Sequence, residues 1–336
     1  RIGSEPLTES NVPDRNIAME MVRVTEAAAL AAARWMGRGD KNGADKAAVD
    51  AMREMIDTVA MDGVIVIGEG EKDKAPMLYN GELVGNGRGP GVDVAVDPID
   101  GTTLLSLGRP NAVSVIAVAP RGTMYNPHDI FYMDKIVVGP AARGKIDITA
   151  PIAWNLEQVA KARSMPVEEL TVVILDRDRN AQIVADIRKA GARIVSITDG
   201  DVAGAVMAAM EGTGVDVLLG IGGSTEGVVA ACAIKSLGGD MQCRLWARND
   251  DDLRLAAEYG LRMDEVLTLD KLVNSDDCFF AATGITTGYL LKGVEYVASG
   301  AQTESLVMRS RSGTVRRIVG MHQRSKVEQI SPEISG

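Results

Sequence analysis

The sequence predicts an α/β protein in two parts, an α+β sheet domain over residues 1–150 and a doubly wound α/β domain over 151–325, with a tail at 326–336. Three observations predict it. From Leu170 the chain alternates strand, helix, strand, helix, strand, helix, the rhythm of an open parallel sheet with helices on its faces. Before that point, helical spacings and β-branched runs occur without the alternation. The 336 residues, 46% hydrophobic and 24% charged, have a globular composition and suffice for two ordinary domains.

Residues 1 to about 13 carry Gly, Pro, Ser, Glu and Asn without periodicity and read as a loose arm. Ile17, Met21, Val24, Ala28 and Trp35 recur at helical spacing, and Gly37-Arg38-Gly39 stops that helix. Asp40 and Lys41 fall in a tight loop. Val49, Met52, Ile56 and Val59 mark a second amphipathic helix, which places Asp45 in or just before its first turn, where an acid also suits the helix dipole. Val64-Ile65-Val66-Ile67 is a short buried strand running into Gly68-Glu69-Gly70-Glu71-Lys72-Asp73. The glycines let the backbone bend while Glu69 and Asp73 are presented at a strand end; a solvated acidic loop is the plainer alternative. A Gly-rich connection, Gly81 to Gly91, leads to Val94-Ala95-Val96-Asp97-Pro98-Ile99-Asp100-Gly101-Thr102-Thr103. Pro98 lacks an N–H and disfavours the α region before it, so Asp97 should close the strand. Asp100 to Thr103 has the composition of a helix N-terminus, whose free N–H groups can bind a phosphate oxygen. Alone, the stretch is equally a strand-to-helix turn with an Asp cap. A helix from about Thr102 to Ser106, a strand at Ala112 to Ala119, a turn at Pro120 to Thr123 and a strand at Lys135 to Val138 complete this half.

A helix around Asn155 to Arg163, bounded by Pro151 and Pro166, leads into the second half. Three strands there end in polar residues: Val172 to Leu175 in Asp176-Arg177-Asp178-Arg179, Ile194 to Ile197 in Thr198-Asp199-Gly200-Asp201, and Val217 to Leu219 in a glycine loop, Gly220 to Gly227, that contains Glu226. Ligands of open α/β sheets bind outside the strands' carboxyl ends, so these groups are expected to face one ligand. Helix capping accounts for many Asp and Gly residues, but Arg177 and Arg179 are poor caps and point to an anion. The glycine loop fails as a nucleotide site, because Thr225 stands where a dinucleotide fingerprint needs Gly and no P-loop lysine follows. After Cys243 a strand, a charged helix (Asn249 to Tyr259), a short helix near Leu267 to Val273 and a strand at Phe279 to Ala282 follow. A hairpin of Leu306 to Arg309 and Val315 to Ile318 around Ser312-Gly313 closes the half, and the chain after about Lys326 reads as frayed.

A net charge of −10 and a pI near 4.9 argue against nucleic-acid or anionic-membrane surfaces. The longest apolar runs, Ala27 to Ala33 and Val228 to Ile234, fall far short of the roughly 20 residues that span a bilayer, and no signal peptide is read. Cys232, Cys243 and Cys278 lack CxxC spacing and read as buried thiols in a reducing compartment, the cytoplasm. With only His128 and His322, and no G-x-S-x-G elbow at Ser224, a Ser-His triad or His-rich zinc site is not expected.

The acids at element ends are Asp45, Glu69, Asp97, Asp100 and Glu226, with Asp73 as a further candidate. Oxygen-only ligands suit Mg²⁺ or Mn²⁺, and two such ions roughly 3.5–4 Å apart can clamp both oxygens of a phosphoryl displacement. The cluster would repel itself without cations. Thr102 is placed to orient an attacking water, or is simply a first-turn helix residue.

The D-P-I-D-G-T at Asp97 to Thr102 and the G-E-G-E at Gly68 to Glu71 resemble the metal motif of the lithium-sensitive, magnesium-dependent phosphomonoesterases. Together with Gly37 to Lys41, Thr198 to Val202 and Gly220 to Gly227, they resemble the bacterial class II fructose-1,6-bisphosphatases over roughly residues 16 to 322. The resemblance implies a layered αβαβα sugar-phosphatase fold and hydrolysis of the 1-phosphate of fructose 1,6-bisphosphate, in gluconeogenesis. It implies Asp45 and Glu69 at one metal position, Asp97, Asp100 and Glu226 at the other, Thr102 activating water, and Lys41 and Asp73 close by. Substrate contacts would fall on Asp100, Gly101, Thr102, Tyr132, Arg177, Asp178, Arg179, Asp199, Gly200, Asp201 and Gly223, in a homotetramer or homodimer. Two departures stand out: some members have Glu where this chain has Asp100, and Asp178 occupies the place where proline is expected. The rival readings are the same chemistry on sedoheptulose 1,7-bisphosphate or an inositol phosphate, a sugar-phosphate sensor without turnover, and a nucleotide-dependent oxidoreductase resting on the glycine loop.

Overall fold

A computed structural model of the chain describes residues 17–70 and 77–330. The expected N-terminal arm, Glu71 and Asp73 lie outside the described residues. In chain order the elements begin α1 (Ala18–Ala33), α2 (Lys41–Ile56), β1 (Asp62–Ile67), β2 (Leu83–Val84), β3 (Gly91–Asp100), α3 (Thr102–Ser106), β4 (Val113–Pro120), β5 (Tyr132–Val138) and α4 (Ile152–Arg163). The alternating part follows as β6 (Thr171–Leu175), α5 (Ala181–Ala190), β7 (Arg193–Ile197), α6 (Asp201–Ala209), β8 (Val217–Gly223), α7 (Ser224–Leu237) and β9 (Asp240–Trp246). The chain ends with α8 (Asp250–Glu258), β10 (Leu267–Thr268), α9 (Leu269–Leu272), β11 (Phe279–Gly284), β12 (Glu295–Val297), β13 (Gly300–Arg309), β14 (Thr314–Gln323) and α10 (Arg324–Ile330).

The strands form two sheets, one of eight strands ordered β12-β13-β11-β4-β3-β1-β2 with β14 on β13, the other of six ordered β10-β9-β5-β8-β6-β7. Helices α1 and α2 cover the outer face of the first sheet, α6 and α7 fill the space between the sheets, and α4 and α5 cover the outer face of the second. The order is therefore α, β, α, β, α. Helix composition explains the layers. In α7 the run Val228 to Ile234 is buried on every side, as a helix between two sheets must be, whereas α5 buries Ile187 and turns its charged face outward.

The sheets differ from the expected halves. Within the second sheet only β6, β7 and β8 are mutually parallel; β5, β9 and β10 join antiparallel, so that sheet is mixed. The strand expected in the N-terminal half, β5, pairs with β8 and β9, while β11 to β14 return to the first sheet through β11 on β4. A division at residue 150 thus cuts across both sheets. Apolar alternation tells which face of a strand is buried but not which strand lies beside it. The segment read as a frayed tail also differs: up to Ile330 it is helical, and Val327 is buried against Leu30 of α1. The three cysteines are buried and free. No helix among the described residues is long and apolar enough to cross a membrane.

Candidate active site

The site begins at a bulge in β3. Asp97 pairs with Val115 of β4 and Asp100 with Val113, so three steps along β3 oppose two along β4. In a regular strand, residues three apart point to opposite faces. The inserted residue restores both acids to the inner face, toward α6 and α7. Pro98 sits in the bulge, where its missing N–H costs no ladder bond, and the Ile99 amide donates to Asp97 Oδ1 at 3.1 Å. The strand thus runs through Pro98 to Asp100, three residues past its expected end at Asp97. Nor is Asp100 a helix cap. Gly101 holds the N-cap of α3, and the buried Asp100 carboxylate accepts from the Ala203 amide of α6 at 3.3 Å. The Thr103 amide of this short helix turns to Asp199 Oδ2 at 3.4 Å.

From the other side of the cleft, α2 starts earlier than expected. Asp40 caps it by accepting from the Gly43 amide at 2.9 Å, so Lys41 is its first residue rather than part of a loop. Asp45 therefore lies beyond the first turn, where the dipole no longer explains it. Its Oδ1 accepts from Thr102 Oγ1 at 3.0 Å, and Lys41 Nζ donates to Thr103 Oγ1 at 2.8 Å. Glu69 follows β1 and is pinned by its amide to the Leu78 carbonyl at 2.9 Å.

The glycine stretch at 220–223 is the end of β8, and α7 starts at Ser224. Its glycines make room for side chains instead of a phosphate: a Cβ on Gly223 would collide with the Glu226 carboxylate, and one on Gly222 with Asp201. Glu226 rises from the first turn of α7 and accepts from Thr225 Oγ1 at 2.6 Å. Glu69, Asp97 and Glu226 line one cavity of about 220 Å³, closed by Gly68, Val96, Thr225 and Val229.

These acids disturb one another. Desolvation pushes the Glu69 carboxyl up to about 7, with Asp45 adding to the rise, even though the residue opens to solvent at the cleft. Asp97 is driven well above the usual range by desolvation, then by Asp100, Glu226 and Glu69. Asp100 is driven up by desolvation, then by Asp201, Glu226 and Asp199. Asp45 is raised by desolvation against the pull of Thr102 and Lys41. Among the described residues no three acids close into a ready-made ligand cluster. The donors are nevertheless all carboxylate oxygens under mutual repulsion around one cavity, which is the chemistry that fits hard divalent cations.

The remaining residues expected to contact substrate gather at the carboxyl ends of β6 and β7 and along β5 and β8 of the second sheet. Asp199 is half-buried before Gly200, whose backbone is left-handed at φ 83°, and Asp201 opens α6. Tyr132 pairs in register with Gly223 on one side and Trp246 on the other. The Arg179 guanidinium lies 4.2 Å over the Tyr132 ring and donates from Nε to the Ile221 carbonyl at 3.0 Å. Arg177 and Asp178 are exposed, and Arg177 donates to the Asp176 carbonyl at 3.1 Å. Arg179 is thus held against Tyr132, whereas Asp178 faces solvent.

Sequence reasoning passed over two buried residues. Asn180 clamps β6 to β8, donating to the Leu175 and Ile221 carbonyls and accepting from the Ile221 amide at 2.8 Å. Lys135, 3% exposed, donates to Asp201 Oδ2 at 2.5 Å and to the Gly223 carbonyl at 2.7 Å. Burial alone would lower its pKa, but Asp201 and Glu226 reverse the sign and raise it, so the ammonium stays charged. Its signal was a lysine at an inward-facing position of β5, between the buried Met133 and Val137.

A family model described as bacterial fructose-1,6-bisphosphatase, glpX-encoded, matches residues 15–322. The chain is 48% identical over 321 residues to fructose-1,6-bisphosphatase 1 class 2 of Escherichia coli strain K12, an alignment covering 92% of this chain and 95% of that protein. The class 2 fructose-1,6-bisphosphatases of Escherichia coli O6:H1 and Shigella flexneri are similar at the same 48% identity and the same coverage, 92% of this chain and 95% of theirs.

Proposed function

Because the chain belongs to the family of bacterial, glpX-encoded fructose-1,6-bisphosphatases, we propose that it hydrolyses the 1-phosphate of fructose 1,6-bisphosphate, giving fructose 6-phosphate and phosphate in gluconeogenesis. The observation that carries the reading is the β3 bulge, which turns Asp97 and Asp100 onto one face beside Glu226 and sets Thr102 against Asp45. Asp45, Glu69, Asp97, Asp100 and Glu226 would hold two or more Mg²⁺ or Mn²⁺ ions, which supply Lewis-acid polarisation of the phosphoryl oxygens and neutralise developing charge. Thr102 Oγ1 donates to Asp45, which leaves its lone pairs to accept from a water and aim it at phosphorus. Lys41, through Thr103, fixes the start of α3 beside that water. Asp73 belongs to the same reading but lies outside the described residues. Asp199 and Asp201 accept from sugar hydroxyls, with Gly200 and Gly101 allowing close approach. Arg179, backed by Tyr132, and the exposed Arg177 receive the second phosphate, with Asp178 turned away from it. A cytoplasmic homotetramer or homodimer completes the proposal, and light scattering checks the assembly.

Incubation of the full chain with fructose 1,6-bisphosphate and Mn²⁺ is expected to release one phosphate per sugar, faster than from sedoheptulose 1,7-bisphosphate or inositol monophosphate. Binding without release would support a sensor instead.

The raised carboxyls predict a linkage between pH and cation. Glu69 titrates at about 7 in the fold, above its ordinary 4.5. The folded state therefore holds that proton more tightly than the unfolded chain. The resulting stability is fully present below about pH 4.5 and is lost as pH rises through about 7. Cation-free protein should melt lower at pH 8 than at pH 5.5, and Mn²⁺ should raise Tm much more at pH 8. Equal Mn²⁺ stabilisation at both pH values in scanning fluorimetry would contradict the reading.

A further inference from the structure

Among the described residues Lys135 is the one buried lysine or arginine. It stands on β5, yet its ammonium ties together two other elements, α6 through Asp201 Oδ2 at 2.5 Å and the β8–α7 turn through the Gly223 carbonyl at 2.7 Å. The room for this is built into β8. A Cβ on Gly222 would meet the Asp201 carboxylate and come within 2.9 Å of Lys135 Nζ, so the ion pair occupies the space of a side chain. On the far side Gly227 of α7 lies close enough that a Cβ there would be 3.6 Å from Lys135 Cδ. Acids surround the pair: Asp201 and Glu226 act on Lys135, and Asp100 faces both Asp201 and Glu226.

We propose that Lys135 is a positioning residue of the phosphatase, a permanent internal cation that holds Asp201 and the Gly223 turn for the sugar and cancels one negative charge beside the cation-binding acids. The proposal rests on the functional reading given above. Two consequences of opposite sign follow from charge. Without Lys135 the acids carry one more uncompensated negative charge, so a divalent cation binds them more tightly. An anionic sugar bisphosphate meets a more negative cleft and an Asp201 that has lost its anchor, so it binds more weakly. A lysine that only propped up the fold would weaken both when removed.

The test compares wild type, Lys135→Met and Lys135→Met/Asp201→Asn as full chains. Calorimetric titration with Mn²⁺ alone is expected to show about tenfold tighter binding by Lys135→Met. Steady-state kinetics on fructose 1,6-bisphosphate are expected to show KM raised about tenfold or more, with a smaller change in kcat. In the double variant the two charges leave together, so Mn²⁺ affinity returns to within about twofold of wild type while KM stays raised. Weakened Mn²⁺ binding by Lys135→Met, or an unchanged KM, overturns the proposal. If Lys135→Met does not fold, the double variant decides: near-native Mn²⁺ binding with raised KM supports the proposal, and any other pair of results overturns it. If wild type proves inactive on fructose 1,6-bisphosphate, the functional reading fails by itself, while the Mn²⁺ series still reports whether Lys135 sets the charge of the site.

Discussion

Replacing Thr102 with alanine is expected to lower kcat by about 10²–10⁴-fold, the usual range for losing a group that handles a proton in the transition state, while KM changes only a few-fold. Thr102 is half-buried, and its hydroxyl reaches Asp45 Oδ1 at 3.0 Å and the Ile99 carbonyl at 3.3 Å. It is the first residue of α3, where alanine is well tolerated, so the fold should survive. What disappears is the donor that orders Asp45 and the oxygen that would order a water. The Asp45 carboxyl, which Thr102 draws downward, should then rise further. Thr102→Ser retains the hydroxyl and should recover most of the rate, because the lost methyl touches no step of the chemistry. A Thr102→Ala enzyme keeping more than about a tenth of wild-type kcat would remove Thr102 from the reaction.

The parts of the fold that could be read beforehand are those that depend on a residue's own face. Strand ends at Leu175 and Ile197 were legible because apolar runs break there into Asp-Arg and Thr-Asp, whereas β8 runs past Leu219 through its glycines to Gly223; the helices after all three are present as α5, α6 and α7. Partner choice was not legible. Nothing in Lys135 to Val138 says that β5 crosses to the second sheet, or in Phe279 to Gly284 that β11 returns to β4, because both depend on long-range register. At the candidate site the sequence displays the acids but not their geometry. Asp97 and Asp100 stand out beside Pro98, but their common face comes from a bulge visible only in the pairing with β4. The helical spacing alone makes Asp45 a dipole acid, but the cap at Asp40 moves the helix start four residues ahead of it. The glycine loop fails as a nucleotide site on sequence alone, but the use of Gly222 and Gly223, which leave room for the carboxylates of Asp201 and Glu226, depends on where those side chains sit.

Asp97→Asn should move stability and activity in opposite directions. Asp97 lines the same cavity as Glu69 and Glu226, and desolvation and those neighbours hold its carboxyl well above the usual range. A carboxylate raised in the fold contributes stability at low pH and loses it as pH rises through its folded pKa. At pH 8, without divalent cations, Asp97 costs the fold stability relative to the unfolded chain, where its carboxyl ionises freely, and asparagine removes that cost. The substitution is nearly isosteric, and the amide oxygen can still accept from the Ile99 amide as Asp97 Oδ1 does at 3.1 Å. Cation-free Asp97→Asn protein should accordingly melt about 1–2 °C above wild type, the shift expected for roughly 1 kcal/mol in a chain of 336 residues. Mn²⁺ should stabilise it far less than wild type, since one of the anionic ligands proposed above would be gone. Activity should fall by about 10³-fold or more, because losing Lewis-acid stabilisation worth several kcal/mol costs tenfold per 1.36 kcal/mol. Melting curves with and without Mn²⁺, beside phosphate-release rates, read both effects. A variant less stable than wild type without cations would mean that the acids around the bulge do not repel one another, and the cation site would lose its physical basis.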